Sequence, residues 1–273
     1  MDSTSQPQGT QLPARPAAPV RITVHPLEAV YFVIGLIVLI TSAVILHGQP
    51  RPYPFELNFT LAIQSFPSIP LLTGLIDFVS SLNDPIPSII ALAAWLVGLV
   101  TMGFIAHLRG RSAVKWFQSA ASLVVTVGIA GGLNLLINTL VGRPRPGSFG
   151  EHITIFMKRP EHSFPSGHTE HDVAYYGFLL YLSFTPPVRE WRYRWVLIPF
   201  QIIAAFDILT IGYSRVLEGE HWLLDVLGGY LSGSLWLLLC IVIYRYVTDL
   251  IAERLQESGV SPSETISTGT SKI

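Results

Sequence analysis

The sequence predicts an all-α fold: a polytopic membrane helical bundle of six transmembrane helices, with interfacial amphipathic helices between the first two. Three observations carry that prediction. Half of the 273 residues are apolar and 13% are charged, against about a quarter charged in ordinary soluble domains. Five or six stretches approach the roughly 20 apolar residues that a spanning helix needs. Lysine and arginine then sort to one side of the spans so defined.

The first span is expected over about Leu27 to Leu46. Residues 48 to 86 follow, broken by prolines, with Ile69, Leu72, Ile76 and Val79 recurring at helical spacing. This segment reads as one or two amphipathic helices at the interface, or as a loop with apolar anchors. The second span is placed at about Pro87 to Leu108, and the third at about Val114 to Val141. Gly128, Gly131 and Gly132 give the third span small residues for close helix contact. The fourth, about Glu170 to Phe184, is short and begins with polar residues. The fifth runs from about Arg194 to Tyr213, and the sixth from about Trp222 to Tyr246.

Residues 1–25, rich in Pro, Gln, Ser and Thr, read as a disordered tail with no signal-peptide core. Residues 26–247 read as the membrane domain, and 248–273 as a second disordered tail. A net charge of -1 gives no bulk attraction to nucleic acid. The single cysteine, Cys240, lies in an apolar run and reads as a small hydrophobe.

Eleven of the 17 basic residues fall on one side of the six-span arrangement: Arg15, Arg21, Arg109, Arg111, Lys115, Arg189, Arg192, Arg194, Arg245, Arg254 and Lys272. The positive-inside rule makes that side cytoplasmic, together with both termini, in a plasma or inner membrane. Three polar clusters then fall on the opposite face: Gly142-Arg143-Pro144-Arg145-Pro146, Pro165-Ser166-Gly167-His168, and Ser214-Arg215 through His221 to Asp225. Alternation of the spans brings four helix ends together there, so the clusters can form one site.

Their chemistry suits phosphate. Guanidinium forks match phosphate oxygens, which gives Arg145 and Arg215 that task. Gly167 lets the backbone approach an anion at a helix start, and Ser166 adds a hydroxyl. His221 and Asp225 lie four apart, on one helical face, where the carboxylate would hold the imidazole as a nucleophile. His168 would protonate the leaving oxygen and then activate water. With fixed cations neutralising charge, neither metal nor cofactor is called for. Arg143 reads equally as an anchor at the membrane interface.

In order, Gly-Arg-Pro-Arg-Pro, Pro-Ser-Gly-His and Ser-Arg-x5-His-x3-Asp resemble the three signature motifs of the type 2 phosphatidic acid phosphatase superfamily. That superfamily includes lipid phosphate phosphatases, undecaprenyl pyrophosphate phosphatases, glucose-6-phosphatases and vanadium haloperoxidases. The resemblance covers about residues 55 to 240. It implies a six-helix core and metal-independent hydrolysis through a phosphohistidine. It gives His221 the nucleophile's role, His168 the acid's and Asp225 the support of that chemistry. It gives phosphate binding to Arg145, Ser166, Gly167 and Arg215. The first motif departs from the family's Lys-x6-Arg-Pro: Asn138 stands at the lysine position, and Arg143 could replace the missing charge.

The expected activity is therefore hydrolysis of a lipid phosphate or pyrophosphate at the bilayer surface, without nucleic acid. A phosphotransferase that passes phosphate, or a phosphorylated headgroup, to an alcohol is the alternative. A non-catalytic lipid-phosphate-binding protein is a third reading, favoured by Asn138. Among other polar groups, Asp207 would be costly unpaired inside a span. Glu218 and Glu220 are expected to face water, away from phosphate, and Trp191, Trp195, Trp222 and Trp236 to lie in interfacial belts or against lipid.

Overall fold

The computed structural model describes residues 24–257 apart from Ser68 and residues 157–161. Regular structure among the described residues is helical throughout. Eight α-helices follow one another: α1 (Pro26–Gly48), α2 (Pro54–Ser65), α3 (Pro70–Ser81), α4 (Pro85–Leu108), α5 (Val114–Val141), α6 (Gly167–Ser183), α7 (Ile198–Leu217) and α8 (Leu223–Glu257). Prolines open α1, α2 and α4, where the fixed φ suits a first turn and the missing N–H costs nothing. Gly142, in the left-handed region at φ 63°, stops α5 just before the first polar cluster.

Among the described residues, five helices are long and apolar enough to cross a membrane: Pro26–Gly48, Pro85–Leu108, Val114–Val141, Arg194–Leu217 and Leu223–Leu255. Their outward faces carry large exposed apolar side chains, such as Val33, Ile37, Ile40 and Val44 on α1 and Ile86, Ile89, Ile90 and Val97 on α4. Rows of this kind are unusual on a soluble protein and suit contact with lipid chains.

The expected fourth span is α6, which is not among those five. At 17 residues it is short, and it buries Thr169, Glu170 and Asp172. The reason for its polarity is its position. α6 packs against α5, α7 and above all α8, so protein and not lipid surrounds it. Glu170 accepts hydrogen bonds from Asn134 on α5 (3.1 Å) and from Ser232 on α8.

The α6–α8 seam is close-packed along glycines of α8. A Cβ at Gly229 would meet the Ser166 carbonyl oxygen at 2.8 Å, and one at Gly233 the Glu170 carbonyl oxygen at 2.8 Å. A Cβ at Gly228 would run into the Phe164 ring. Small residues let two helices approach to backbone contact.

Helices α2 and α3 occupy the segment between the first two spans, and both pack on α7. Part of the expected C-terminal tail is helical. Residues Thr248 to Glu257 continue α8, and Gln118 on α5 holds Thr248 at 2.7 Å. Residues 1–23 and 258–273 of the two expected tails lie outside the described residues. Two of the tryptophans expected at the membrane surface are core residues instead: Trp222 and Trp236 are buried, whereas Trp195 is exposed. Cys240 is buried in the cluster formed by α5, α6 and α8.

Candidate active site

The end of α5, the start of α6, the end of α7 and the start of α8 meet at one place. Backbone hydrogen bonds tie their loops together: Ser163 N–H donates to the Arg143 carbonyl (2.8 Å), and Ser166 N–H to the Asp225 carbonyl (2.9 Å). All three polar clusters therefore share one pocket of structure.

His221 sits at its centre, 1% exposed. Its Nδ1 lies 2.8 Å from the Ser163 carbonyl oxygen. A carbonyl can only accept, so Nδ1 carries the proton and Nε2 keeps its lone pair. That lone pair faces Arg145, whose Nη1 lies 3.2 Å away and also donates to the Glu220 carbonyl at 2.9 Å. Burial lowers the tendency of the ring to protonate, and Arg145 adds to the effect while Asp225 opposes it. The result is a neutral imidazole whose Nε2 lone pair is held by Arg145, which must give way before Nε2 can attack.

His168 stands on the first turn of α6, half-buried. A ring nitrogen of His168, one of His221 and a carboxylate oxygen of Glu220 all lie within 4.8 Å of one another. That spacing would also suit a cation, but Arg145 already presents a fixed positive charge to the His221 lone pair and opposes a second one there.

Ser166 takes the N-cap position of α6, buried, with its hydroxyl accepting from Thr169 at 3.0 Å. Gly167 packs against α5, where a Cβ would come within 3.2 Å of the Asn134 side-chain oxygen. The first-turn N–H groups and dipole of α6 favour an anion beside His168.

A model of the PAP2 superfamily matches residues 119–249, the stretch that holds all three clusters. Over that stretch, just under half of its length, the chain is similar to the PAP2 superfamily. It is 25% identical to a putative undecaprenyl-diphosphatase of Escherichia coli, over 72% of this chain and 86% of that one. It is 34% identical to lipid phosphate phosphatase 2 of Arabidopsis thaliana, over 41% of this chain and 45% of that one. An undecaprenyl-diphosphatase of Sulfolobus acidocaldarius is 29% identical over 41% and 49%. In fold, the chain resembles the crystal structure of a transmembrane PAP2-type phosphatidylglycerolphosphate phosphatase from Bacillus subtilis. The TM-score is 0.57 at 20% identity, covering 78% of this chain and 93% of that one.

Several residues of the three clusters hold positions that the sequence did not suggest. Asp225 was expected to hold His221, but its Oδ2 is 3.9 Å from Nδ1, beyond hydrogen-bond reach. The Ser163 carbonyl takes that place. Asp225 instead accepts from Arg143 Nη1 at 2.6 Å and from the Trp222 N–H at 2.8 Å.

Arg143, expected to serve phosphate or the membrane interface, does neither here. It is 0% exposed, and its fork binds Glu56 at 2.7 and 3.2 Å as well as Asp225. Burial pulls its guanidinium down, yet the Asp225 and Glu56 carboxylates outweigh burial and hold it above the ordinary range.

Asn138, at the usual lysine position of a PAP2 protein, donates to the His162 carbonyl (2.9 Å) and the Phe164 carbonyl (3.3 Å). It braces the loop whose Ser163 carbonyl sets the His221 tautomer. In this structure it contacts backbone where phosphate contact was expected.

Arg215 is buried, together with Ser80, Ser214 and Glu220, while Glu218 is partly exposed. Its Nη1 donates to Glu220 at 2.9 Å, and its Nη2 to Glu218 at 2.9 Å and to Ser80 and Ser214. Glu218 and Glu220 thus turn inward onto arginine, contrary to the expectation that they face water. Burial raises the Glu218 carboxyl above its ordinary range, against the pull of Arg215. Asp207 and Asp172 lie on neighbouring helices and share the Asn83 amide, at 2.6 and 3.0 Å.

Four partners have no signature in the motifs: Glu56, Ser80, Asn83 and the Ser163 carbonyl. Glu56 alone has a local signal. It stands at the third position of α2, after Pro54, where it also accepts from the Tyr53 N–H at 2.9 Å.

Proposed function

We propose that this protein is an integral membrane phosphatase that removes phosphate from a lipid phosphate or lipid diphosphate. One observation carries the reading: the Ser163 carbonyl fixes the His221 tautomer, leaving Nε2 beside Arg145 and close to the His168 ring.

Nε2 attacks phosphorus, forming the N–P bond as the P–O bond to the lipid breaks. His168 gives its proton to the departing oxygen. The ring of His221 becomes cationic, and Asp225 stabilises that charge from 3.9 Å. Arg145, Arg215 and the N–H groups at the start of α6 hold the phosphoryl oxygens. Arg215 must exchange a carboxylate for phosphate to take part. Water then attacks phosphorus, His168 accepts its proton, and His221 leaves. No step requires a metal.

The substrate class follows the names of the relatives, an undecaprenyl-diphosphatase and a lipid phosphate phosphatase. The six-span count follows if α6 crosses within the shelter of α5, α7 and α8. The charge bias of the loops puts both termini on the cytoplasmic side and the site on the other face, with α2 and α3 at that interface.

The test uses purified protein with phosphatidate or undecaprenyl diphosphate, EDTA present. Release of inorganic phosphate by the wild type and none by His221→Ala is expected. Full activity in His221→Ala would remove the nucleophile assignment, and loss on adding EDTA would contradict the metal-free route.

A further inference from the structure

Glu56 lies on α2, outside the motifs, yet it is 0% exposed. A buried carboxylate is costly unless paired. Its Oε2 accepts from Arg143 at 2.7 Å and its Oε1 from the Leu224 N–H at 3.1 Å, at the mouth of α8. Arg143 in turn grips Asp225 at 2.6 Å. At the far end of the same helix, Gln64 donates to the Thr154 and Leu217 carbonyls at 2.8 and 2.9 Å. α2 is thus fastened across the site loops at both ends.

We propose that Glu56 and Arg143 are a positioning pair that fixes the Asp225 carboxylate beside the His221 ring, making α2 a working part of the site. The two acids divide one guanidinium between them. Without Glu56, the fork would be free to turn, and its whole charge would act on Asp225. Without Arg143, two carboxylates would be left buried and facing each other. The pair acts through Asp225 and touches no substrate. The proposal rests on the phosphatase reading for its kinetic consequence, but its geometry can be tested without turnover.

Diethyl pyrocarbonate modifies only neutral imidazole, so the pH profile of His221 labelling, read by mass spectrometry, reports the field at the ring. The other charged groups close to that ring are Arg145, Asp225, Glu220 and His168, and none of them is substituted in the variants. Glu56→Gln keeps the side chain's shape and its capping acceptor but removes its charge. The site becomes more positive, so the labelling midpoint should move to lower pH. Arg143→Met should move it to higher pH. General loosening would move both the same way. Turnover number in Glu56→Gln should fall on the order of 10²-fold, as for a misplaced catalytic group, with KM within about 2-fold and partial rescue by Glu56→Asp. Midpoints that stay fixed or shift together, or wild-type turnover in Glu56→Gln, would overturn the proposal. If the wild type releases no phosphate, the assigned activity fails, while the labelling midpoints still decide the positioning pair.

Discussion

Replacing Asp225 with asparagine separates two ways of organising the nucleophile. In the structure, the carboxylate is paired with Arg143 at 2.6 Å and stands 3.9 Å from His221 Nδ1, which is held by Ser163. Breaking a buried pair by removing one partner costs about 3–5 kcal/mol. Arg143 keeps Glu56, so the lower end, about 3 kcal/mol, applies. For a chain of this size that is a fall of about 6–12 °C in unfolding temperature. The catalytic loss follows from the charge alone. A unit charge at about 4 Å is worth ~4 kcal/mol at an effective dielectric of 20. Arg143 offsets part of it, leaving roughly 2–3 kcal/mol, or about 10²-fold in kcat. The assays are phosphate release from phosphatidate in detergent and a thermal unfolding scan. If Asp225 itself held the tautomer, asparagine would cost about 10⁴-fold. A loss that large with wild-type stability would refute the role given to the Ser163 carbonyl.

Four more outcomes follow from the same geometry. Arg145→Met should lower kcat/KM by about 10²–10³-fold, the scale of losing one donor at a developing charge; a change confined to KM would remove Arg145 from the transition state. Glu218→Gln frees Arg215 of one carboxylate and should lower KM by about 5-fold, since a pair of this kind is worth about 1 kcal/mol; an unchanged or higher KM would take Arg215 away from phosphate. Asn138→Leu loses two hydrogen bonds to the loop, roughly 1–3 kcal/mol together, and should lower both unfolding temperature and kcat; normal stability with raised KM alone would return Asn138 to direct phosphate contact. Gly229→Ala sets a methyl against the Ser166 carbonyl and the Thr169 Cβ, which lie 2.8 and 2.9 Å from its position. It should cost about 1–3 kcal/mol by overpacking, and wild-type stability and turnover would show that the seam yields.

Much of this architecture is readable from residue pattern. Long apolar runs mark α1, α4, α5, α7 and the start of α8 to within a few residues, because each faces lipid and lipid demands hydrophobicity along the whole exposed face. α6 is harder to read: shielded by its neighbours, it is released from that demand and carries Glu170 and Asp172. The three motifs locate Arg145, His168 and His221 because the proposed nucleophile, acid and cation must be particular residue types. Their partners escape such reading. Glu56 and Arg143 are 87 residues apart, and no local periodicity encodes that meeting. The acceptor at His221 Nδ1 is a backbone carbonyl, which any residue could supply. Glu218 and Glu220 look hostile to phosphate until Arg215 is seen between them. The helical continuation of α8 past Thr248 depends on Gln118 of another helix, which local composition does not report.

The glycine-lined contact between α6 and α8 has a consequence beyond packing. His168 rides on the first turn of one helix and His221 lies just before the other, so the gap between the two imidazoles is inherited from the distance between the two helix axes. That distance is gauged by hydrogen atoms at Gly229 and Gly233 pressing directly on main chain. This gauge is set by protein against protein, with α6 packed among α5, α7 and α8. The spacing of the two histidines is thereby set by the seam between α6 and α8.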